Sequence, residues 1–362
     1  MRPLFSTLAW LALPGALLAQ RTGPYGPPAF TMIEVVPGVH VVKEPRASAL
    51  SSFVHGNTVF VVNDADVLAV DASRTPGAVR SMLALLKGVT PKPVTRLLLT
   101  HHHGDHVLGV QGYVETFPGI EIIGTDSMRS AMIRGVVNLF ATRPPDALLK
   151  VSDSYDSLYK AGLDMAGRPL TPPRRALFEM ERQAFRHYYT VEARSIKPVP
   201  PTVTFEKKLT VWAGPRRIDM LSLGRGDTPG DAILWLPAER VVVTGDMLVD
   251  PVPYAGGTNP SEWLRTLRAV KVLDPLHIVP GHGEVMHDTK YLDLTIALID
   301  STLTAVRGAI AAGKTKEETV AQVTMEPFRT RFTANEPIAE DRWSIFIAGM
   351  VGGAYEEATR KP

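Results

Sequence analysis

The stretch LLLTHHHGDHVLG, residues 97–109, places four histidines and one aspartate within six positions, directly after a run of apolar residues. The whole chain has only ten histidines. In an extended segment alternate side chains point the same way, so His101, His103 and Asp105 would face one point, and His106 needs only a turn to join them. Imidazole and carboxylate groups are metal ligands, so the pattern favours a metal site over a solvated loop or a strand end rich in histidine.

The residues around this stretch predict alternating strands and helices. The apolar run at 94–100 predicts a buried strand that ends at the histidines. Before it, the sequence predicts a hairpin that turns at 63–66, and an amphipathic helix with Thr75 as N-cap and Gly88 as stop. Strand, helix and strand then form a crossover between parallel strands, and open α/β sheets bind their ligands at the carboxyl ends of such strands.

A different pattern occupies residues 131–200, where proline clusters bracket helical stretches such as RRALFEMERQAFRHYY. Strand patterns resume at Val203, so we interpret this segment as an inserted, mainly helical cap, either over the site or as a peripheral decoration. Further on, GAIAAGKT at 308–315 has the spacing of a phosphate-binding P-loop. A helical run precedes it and a capping box follows it, so we expect a helix stop and a helix start there.

Composition and the N-terminus indicate which classes of protein fit. The chain has 362 residues, is 45% hydrophobic, and balances 39 Lys and Arg against 37 Asp and Glu, which argues against nucleic-acid binding. Residues 1–19 carry a basic start, an apolar stretch and a small residue at Ala19, as a secretory signal does. Pro14 interrupts that apolar stretch, which is shorter than the roughly 20 residues needed to span a bilayer. We therefore expect an exported protein, periplasmic or secreted, without a stable membrane anchor after cleavage.

Three later stretches carry a polar residue between glycines at the end of a predicted strand: Asp227 in LGRGDTPGD, Asp246 in VVVTGDMLV and His282 in HIVPGHGEV. Together with THHHGDH, this ordered pattern resembles the metallo-β-lactamase superfamily. The resemblance implies an α/β fold, a four-layer αββα sandwich with a metal centre between its sheets, to which this chain adds a helical cap and C-terminal helices. The implied division is a signal peptide at 1–19, a linker at 20–32, the sandwich domain at 33–290 with its cap at 131–200, and a helical extension of that domain at 291–362.

The same resemblance implies a role for each polar residue of the pattern. The implied cofactor is a pair of divalent metal ions, with zinc expected first and manganese or iron as alternatives. Asp105 and Asp246 carry the implied catalytic roles, and Asp246 would bridge both metals. The implied ligands are His101 and His103 for the first metal and Asp105, His106 and His282 for the second, with Asp71 as a supporting acid. The chain has no cysteine, so it cannot use a thiolate ligand.

Asp227 departs from the family pattern, which usually has a histidine in this segment. As an aspartate before Thr-Pro-Gly, it also fits a simple turn residue. Its position 19 residues before Asp246 (246 − 227 = 19) matches the spacing of the family's third histidine, so we favour a ligand of the first metal. An oxygen donor at this position favours manganese or iron more than an imidazole would.

These residues predict a metal-dependent hydrolase in which a metal-bound hydroxide attacks the carbonyl of an ester, thioester, lactone, amide or β-lactam. The expected partner is a small-molecule substrate, and nothing in the sequence indicates an oligomeric state. Candidate proton donors or substrate contacts, each of which also suits a packing role, are Tyr254, His187 and Tyr188.

Two alternatives remain open. His101, His103 and Asp227 also match the ligand set of two histidines and one carboxylate found in non-haem iron centres, which would make the chain an oxidoreductase of the same fold. The missing histidine also fits an exported metal-binding protein with a degraded site. A phosphodiesterase or nuclease is less favoured, because the sequence has no basic stripe.

Overall fold

A computed structural model describes residues 30–44, 55–142, 145–164, 167–254 and 259–360. The predicted signal peptide and most of the predicted linker lie outside the described residues.

Seven strands form the first sheet in chain order, β1 to β7. The pairs from β1 to β4 are antiparallel, and those from β4 to β7 are parallel. The first strand begins inside the segment predicted to be a linker, because the preceding residue, Phe30, is fully buried in the core. The strands are Thr31–Val36 (β1), Val39–Lys43 (β2), Thr58–Val62 (β3), Val67–Val70 (β4), Val94–Leu98 (β5), Glu121–Thr125 (β6) and Val203–Phe205 (β7).

Five strands form the second sheet, in the order β12, β11, β10, β9, β8. Only the pair of β11 and β12 is parallel. The strands are Lys208–Ala213 (β8), Arg216–Leu221 (β9), Ile233–Leu236 (β10), Val241–Val249 (β11) and His277–His282 (β12).

The two sheets pack face to face and helices cover both outer faces. Aliphatic side chains such as Val41, Val59 and Leu98 from the first sheet meet Ile218 and Val243 from the second. Alternation along each strand, which points successive side chains to opposite faces, leaves a second apolar face for the helices. The helices over the first sheet are Pro76–Lys87, Val110–Thr116 and Asp126–Met132, and those over the second are Pro260–Val272, Lys290–Ala311 and Pro337–Thr359. The predicted four-layer αββα sandwich is confirmed.

Local helix signals agree with the structure in detail. Thr75 caps the crossover helix by accepting the amide of Ala78, and Gly88 follows the last turn. Thr315 and Glu318 form a capping box after Gly313, so the GKT stretch is a helix start and not a phosphate loop. By length and composition alone helix Lys290–Ala311 could cross a membrane, but its apolar residues pack in the core of the second sheet.

The connection from β6 to β7 is helical. Its first helix, Asp126–Met132, packs on the first sheet and starts where the Thr125 side chain accepts the amide of Met128. We call the helical segments after it the cap. Aromatic and aliphatic side chains of the cap bury Leu108, which follows the histidine motif, so the cap lies beside the predicted site. The helical segments of the cap are Ile133–Val137, Asn138–Thr142, Pro145–Ala161, Pro172–His187, Tyr188–Glu192 and Ala193–Ser195.

Two further helices, Lys316–Gln322 and Glu326–Thr333, connect the long helices of the C-terminal region. Val323 and Phe332 are buried in the same core as those helices. The C-terminal region therefore completes the outer layer of the second sheet.

Candidate metal centre

The histidine motif changes conformation in its middle. His103 is extended, and a short helix, Gly104–Val107, follows it directly. The expectation of one extended segment through Asp105 is therefore wrong: the amide of His106 donates to the carbonyl of His103 and closes a turn. As a result Asp105 and His106 belong to a different group from the first histidines.

The structure brings the seven predicted ligand side chains together in two groups. Within each group the potential ligand atoms lie within 4.8 Å of one another. The remaining histidine of the motif, His102, belongs to neither group among the described residues. The first group is His101, His103, Asp227 and Asp246, and the second is Asp105, His106 and His282.

In the first group, carboxylate oxygens face imidazole nitrogens. Asp227 Oδ2 lies 2.9 Å from His103 Nδ1 and 3.6 Å from His101 Nε2. Asp246 Oδ2 lies 3.7 Å from His101 Nε2. Asp227, despite its shorter side chain, therefore reaches both histidines of the first group.

Asp246 also faces the second group with its other oxygen. Its Oδ1 lies 3.2 Å from His106 Nε2 and 3.4 Å from His282 Nε2. The two imidazoles are 3.2 Å apart, Nε2 to Nε2, and His282 Nε2 lies 3.2 Å from Asp105 Oδ2. Asp246 thus directs one oxygen at each group.

The donor atoms fit metal ions because several of them are buried without a partner. Among the described residues, His101 Nε2, Asp227 Oδ1 and Asp246 Oδ1 are buried and form no hydrogen bond. An unsatisfied buried polar atom costs about 1–3 kcal/mol, so three in one place call for a ligand. Imidazole nitrogens with carboxylate oxygens suit zinc, manganese or iron.

The second group contains a negatively charged carboxylate and positively charged imidazoles. Burial alone would raise the pKa of Asp105, but Arg74, His106 and His282 outweigh burial and hold that pKa well below its usual value. Burial would likewise lower the pKa of His282, but Asp246 and Asp105 raise it to about 9. In the metal-free protein the carboxylates are therefore paired with protonated imidazoles.

Asp71, the predicted supporting acid, fixes the orientation of His106. Its Oδ2 lies 2.8 Å from His106 Nδ1, which leaves Nε2 to face the second group. The backbone amide and the hydroxyl of Thr100 both donate to the same carboxyl group, each at 2.8 Å. Asp71 and Ser73 both have positive φ, 62° and 58°, a conformation that costs energy for non-glycine residues and concentrates at functional sites.

Asp231 was missed by the sequence reasoning, although it is the second aspartate of GDTPGD. Its Oδ2 accepts the amide of Asp227 at 2.7 Å, and its Oδ1 accepts the amide of Thr228 at 3.0 Å. These bonds close a tight loop that presents Asp227 to the first group. Burial, together with the negative charge of Asp227, raises the pKa of Asp231 to about 8 despite these hydrogen bonds.

The predicted substrate contacts separate into different environments. Tyr254 is half exposed, and its ring lies edge-on to the ring of His103 with centroids 6.4 Å apart. Tyr188 is buried in the cap beside Leu108. His187 ends cap helix Pro172–His187, is half-buried and belongs to neither metal group. Tyr254 therefore lies beside a candidate ligand of the first group.

An αββα sandwich with two groups of histidine and carboxylate side chains between its sheets defines the class of metallo-β-lactamase-fold proteins. The sequence pattern of the metallo-beta-lactamase superfamily matches residues 52–282, more than half of the chain. The chain belongs to that superfamily.

Similarity to particular relatives is more distant. The linear primary-alkylsulfatase of Pseudomonas sp. (strain ATCC 19151) is 19% identical over 278 residues, which cover 74% of this chain and 49% of that protein. The hydroxyacylglutathione hydrolase of Cronobacter sakazakii (strain ATCC BAA-894) is 38% identical over 84 residues, 23% of this chain and 32% of that protein. The chain thus spans about half or less of the length of these relatives.

A solved structure supports the fold over a longer span. The stereoselective inverting sec-alkylsulfatase Pisa1 from Pseudomonas sp. superposes with a TM-score of 0.62 and 14% identity, over 91% of this chain and 50% of that one. At 14% sequence identity, this structural similarity is evidence for the fold alone.

Proposed function

We propose that this chain is an exported, metal-dependent hydrolase whose two ligand groups hold divalent ions, zinc in the first instance. The observation that carries the proposal is Asp246, whose two oxygens face the two groups while donor atoms around it are buried without hydrogen bonds. Bound ions of this kind lower the pKa of a coordinated water towards 7 and polarise the scissile bond.

The chain's own side chains position and orient the reacting groups. Asp71 holds His106 with Nε2 directed at the second group, and Asp231 holds the loop of Asp227. Tyr254, at the exposed edge of the first group, is placed to contact a substrate that approaches His103. The cap beside the histidine motif restricts which substrates reach the centre.

The preferred substrates are carbonyl compounds: esters, thioesters, lactones, amides or β-lactams. Their cleavage requires a nucleophile and stabilisation of a developing oxyanion, and the chain offers both through its ligand groups. None of these bonds demands a nucleophilic side chain, and the two groups supply histidines and carboxylates that suit metal ions.

A sulfate ester is the second candidate substrate. Arg74 lies 3.7 Å from Asp105 of the second group, and its side chain is 16% exposed. A guanidinium binds sulfate and carboxylate groups through paired hydrogen bonds, so Arg74 favours a substrate with an anionic group. The similarity to an alkylsulfatase also extends over far more of the chain than that to the hydroxyacylglutathione hydrolase.

The test is a hydrolysis panel with protein purified without added metal and then loaded with zinc, manganese or iron. The panel contains esters, thioesters, lactones, amides, β-lactams and alkyl sulfates, and metal content is measured in parallel. We expect turnover of at least one class and loss of that turnover on chelation. Iron that cycles between oxidation states in electron paramagnetic resonance, without hydrolysis, would instead favour the oxidoreductase.

Two histidines at opposite ends of β12 supply a matched control. His282→Ala removes a member of the second group, whereas His277→Ala removes a side chain whose described contact is with His287. Only the first variant should lose metal and turnover. Full turnover by the His282→Ala variant would refute the assignment of the site.

Arg74 distinguishes the two candidate substrate classes. Arg74 also supports Asp105, so Arg74→Gln should affect every substrate to some degree. If Arg74 binds an anionic group, KM for anionic substrates should rise by roughly tenfold or more beyond any rise for neutral esters. An equal rise in KM for anionic substrates and for neutral esters would mean that Arg74 supports Asp105 and does not bind the substrate. Export is tested separately, by N-terminal sequencing of the mature protein from periplasm and medium.

A further inference from the structure

The second metal group combines side chains from both sheets, so these side chains must be held in position relative to one another by contacts between the sheets. Asp105 and His106 follow β5 of the first sheet, whereas His282 ends β12 of the second. The segment His55-Gly56-Asn57, directly before β3, lies between these elements, and we call it the bridging segment. All three of its residues are buried.

Asn57 ties the first sheet to the loop of His282. Its side-chain amide donates to the carbonyls of Pro280 and Gly283, at 2.9 and 3.1 Å, and its backbone amide donates to Gly281 at 2.7 Å. The three carbonyls flank His282 on both sides. Glycine-rich backbone has many accessible conformations, so external hydrogen bonds are needed to hold this loop in one of them.

Gly56 contacts the other two members of the group. Its amide donates to the carbonyl of Asp105 at 3.3 Å. A β-carbon on Gly56 would lie 2.5 Å from His106 Cε1 and under 3.0 Å from both ring nitrogens, so its backbone lies directly against the imidazole. The ring is therefore fixed by Asp71 at Nδ1 and by Gly56 on another side.

His55 extends the segment to the loop that carries Asp71. Its Nδ1 lies 2.5 Å from the hydroxyl of Ser73, and the amide of Arg74 donates to the same nitrogen at 3.4 Å. The bridging segment is thus connected to every element that carries a member of the second group. The loop of Asp227 in the first group is held instead by Asp231.

We infer that the bridging segment positions the second metal ion selectively: Asn57 sets the place of His282, and Gly56 sets those of His106 and Asp105. These are positioning residues and not ligands. The inference rests on the proposed metal centre. Residues outside that centre would determine that the second metal site is weakened before the first.

The test compares two buried asparagines at opposite ends of β3. Asn57→Ala removes the two side-chain bonds to Pro280 and Gly283 and keeps the backbone bond to Gly281. Asn63→Ala removes a side-chain bond to Asp66 of 3.0 Å and one from Arg216 of 3.3 Å. Both variants should lower the melting temperature. Only Asn57→Ala should weaken binding of the second metal ion, by about tenfold to a hundredfold, because loss of contacts that support metal ligands has an effect of this size. Binding of the first metal ion should be unchanged.

Metal affinity is measured by competition with a chelator, and site identity by spin coupling between two cobalt(II) ions in the substituted protein. Asn57→Asp is an added variant: it keeps the shape of the side chain but cannot donate to two carbonyls, so we expect it to fail as Asn57→Ala does. The inference would be overturned if Asn57→Ala and Asn57→Asp both bound the second metal ion with unchanged affinity. It would also be overturned if they lost affinity equally for the first and the second ion.

A crystal structure of metal-free Asn57→Ala separates this inference from the proposed function. If the unmodified protein binds no metal, the proposed centre fails, yet the inference still predicts a displaced His282 loop with the hairpin turn of Asn63 in place. An undisplaced His282 would overturn it.

Discussion

Replacement of Asp227 by alanine tests whether this carboxylate is a ligand or a turn residue. Asp227 is 3% exposed, lies 2.9 Å from His103 Nδ1, and is one of four members of the first group. Loss of a supporting contact weakens a metal site by about 10- to 100-fold, and loss of a ligand should cost at least the upper value, about 2.8 kcal/mol. We therefore expect Asp227→Ala to retain one metal ion per chain and little activity.

The assay is metal stoichiometry after dialysis, together with unfolding of the metal-free variant by urea. A turn residue would instead change stability by about 1 kcal/mol and leave metal content unaltered. Two ions bound with undiminished affinity would refute the ligand role.

Asp227→His extends the same test to reactivity. It restores the residue usual in the family and removes one negative charge from the centre. A more positive centre makes coordinated water more acidic, so the acidic limb of the pH–rate profile should move to lower pH. A shift to higher pH would contradict this electrostatic argument.

Four further predictions concern protons and glycines. The pKa of His106 is raised well above its usual value because Asp246, Asp71 and Asp105 together outweigh burial, and the pKa of the neighbouring His282 is about 9. Metal binding near pH 7.5 should therefore release at least one proton from the second group, measured by calorimetry in buffers of different ionisation enthalpy; zero release would contradict the pairing. Because the pKa of His282 is raised on folding, its contribution to metal-free stability is complete below about 6.5 and is lost as the pH rises through about 9. Gly281→Ala places a β-carbon 1.9 Å from Asp246 Oδ1 and should abolish metal binding. Gly308→Ala, in helix Lys290–Ala311 with nothing within 4 Å, should stabilise the fold by about 0.5–1 kcal/mol and leave metal content unchanged.

The fold could be predicted because its signals are local. Thr75, Gly88 and the capping box at Thr315 act within one helical turn, and apolar alternation marks each strand. The candidate ligands were recognisable for a related reason: each follows or ends a strand, beside glycines. Such signals lie within a few residues of the feature that they predict.

Contacts between distant segments left no such signal. The side-chain amide of Asn57 reaches carbonyls 223 and 226 residues away. Some local contacts were missed as well: Asp231 accepts the backbone amide of Asp227, four residues earlier. The turn at Gly104 was also missed, because histidine repeats suggest extension and only the bond from His106 to His103 reveals the helix. Residues that support the site are therefore harder to predict than the residues that form it.

Both groups hold protons where the metal ions would bind. Burial and the negative charge of Asp246 raise the pKa of Asp227 despite its contact with His103. For His103, burial opposes the charged form, but Asp227, Asp246 and Asp105 together outweigh it and raise the pKa. Protons thus offset the charge of clustered carboxylates in the metal-free protein, and metal ions must displace them. Metal affinity should therefore fall steeply as the pH decreases from about 8 to about 6.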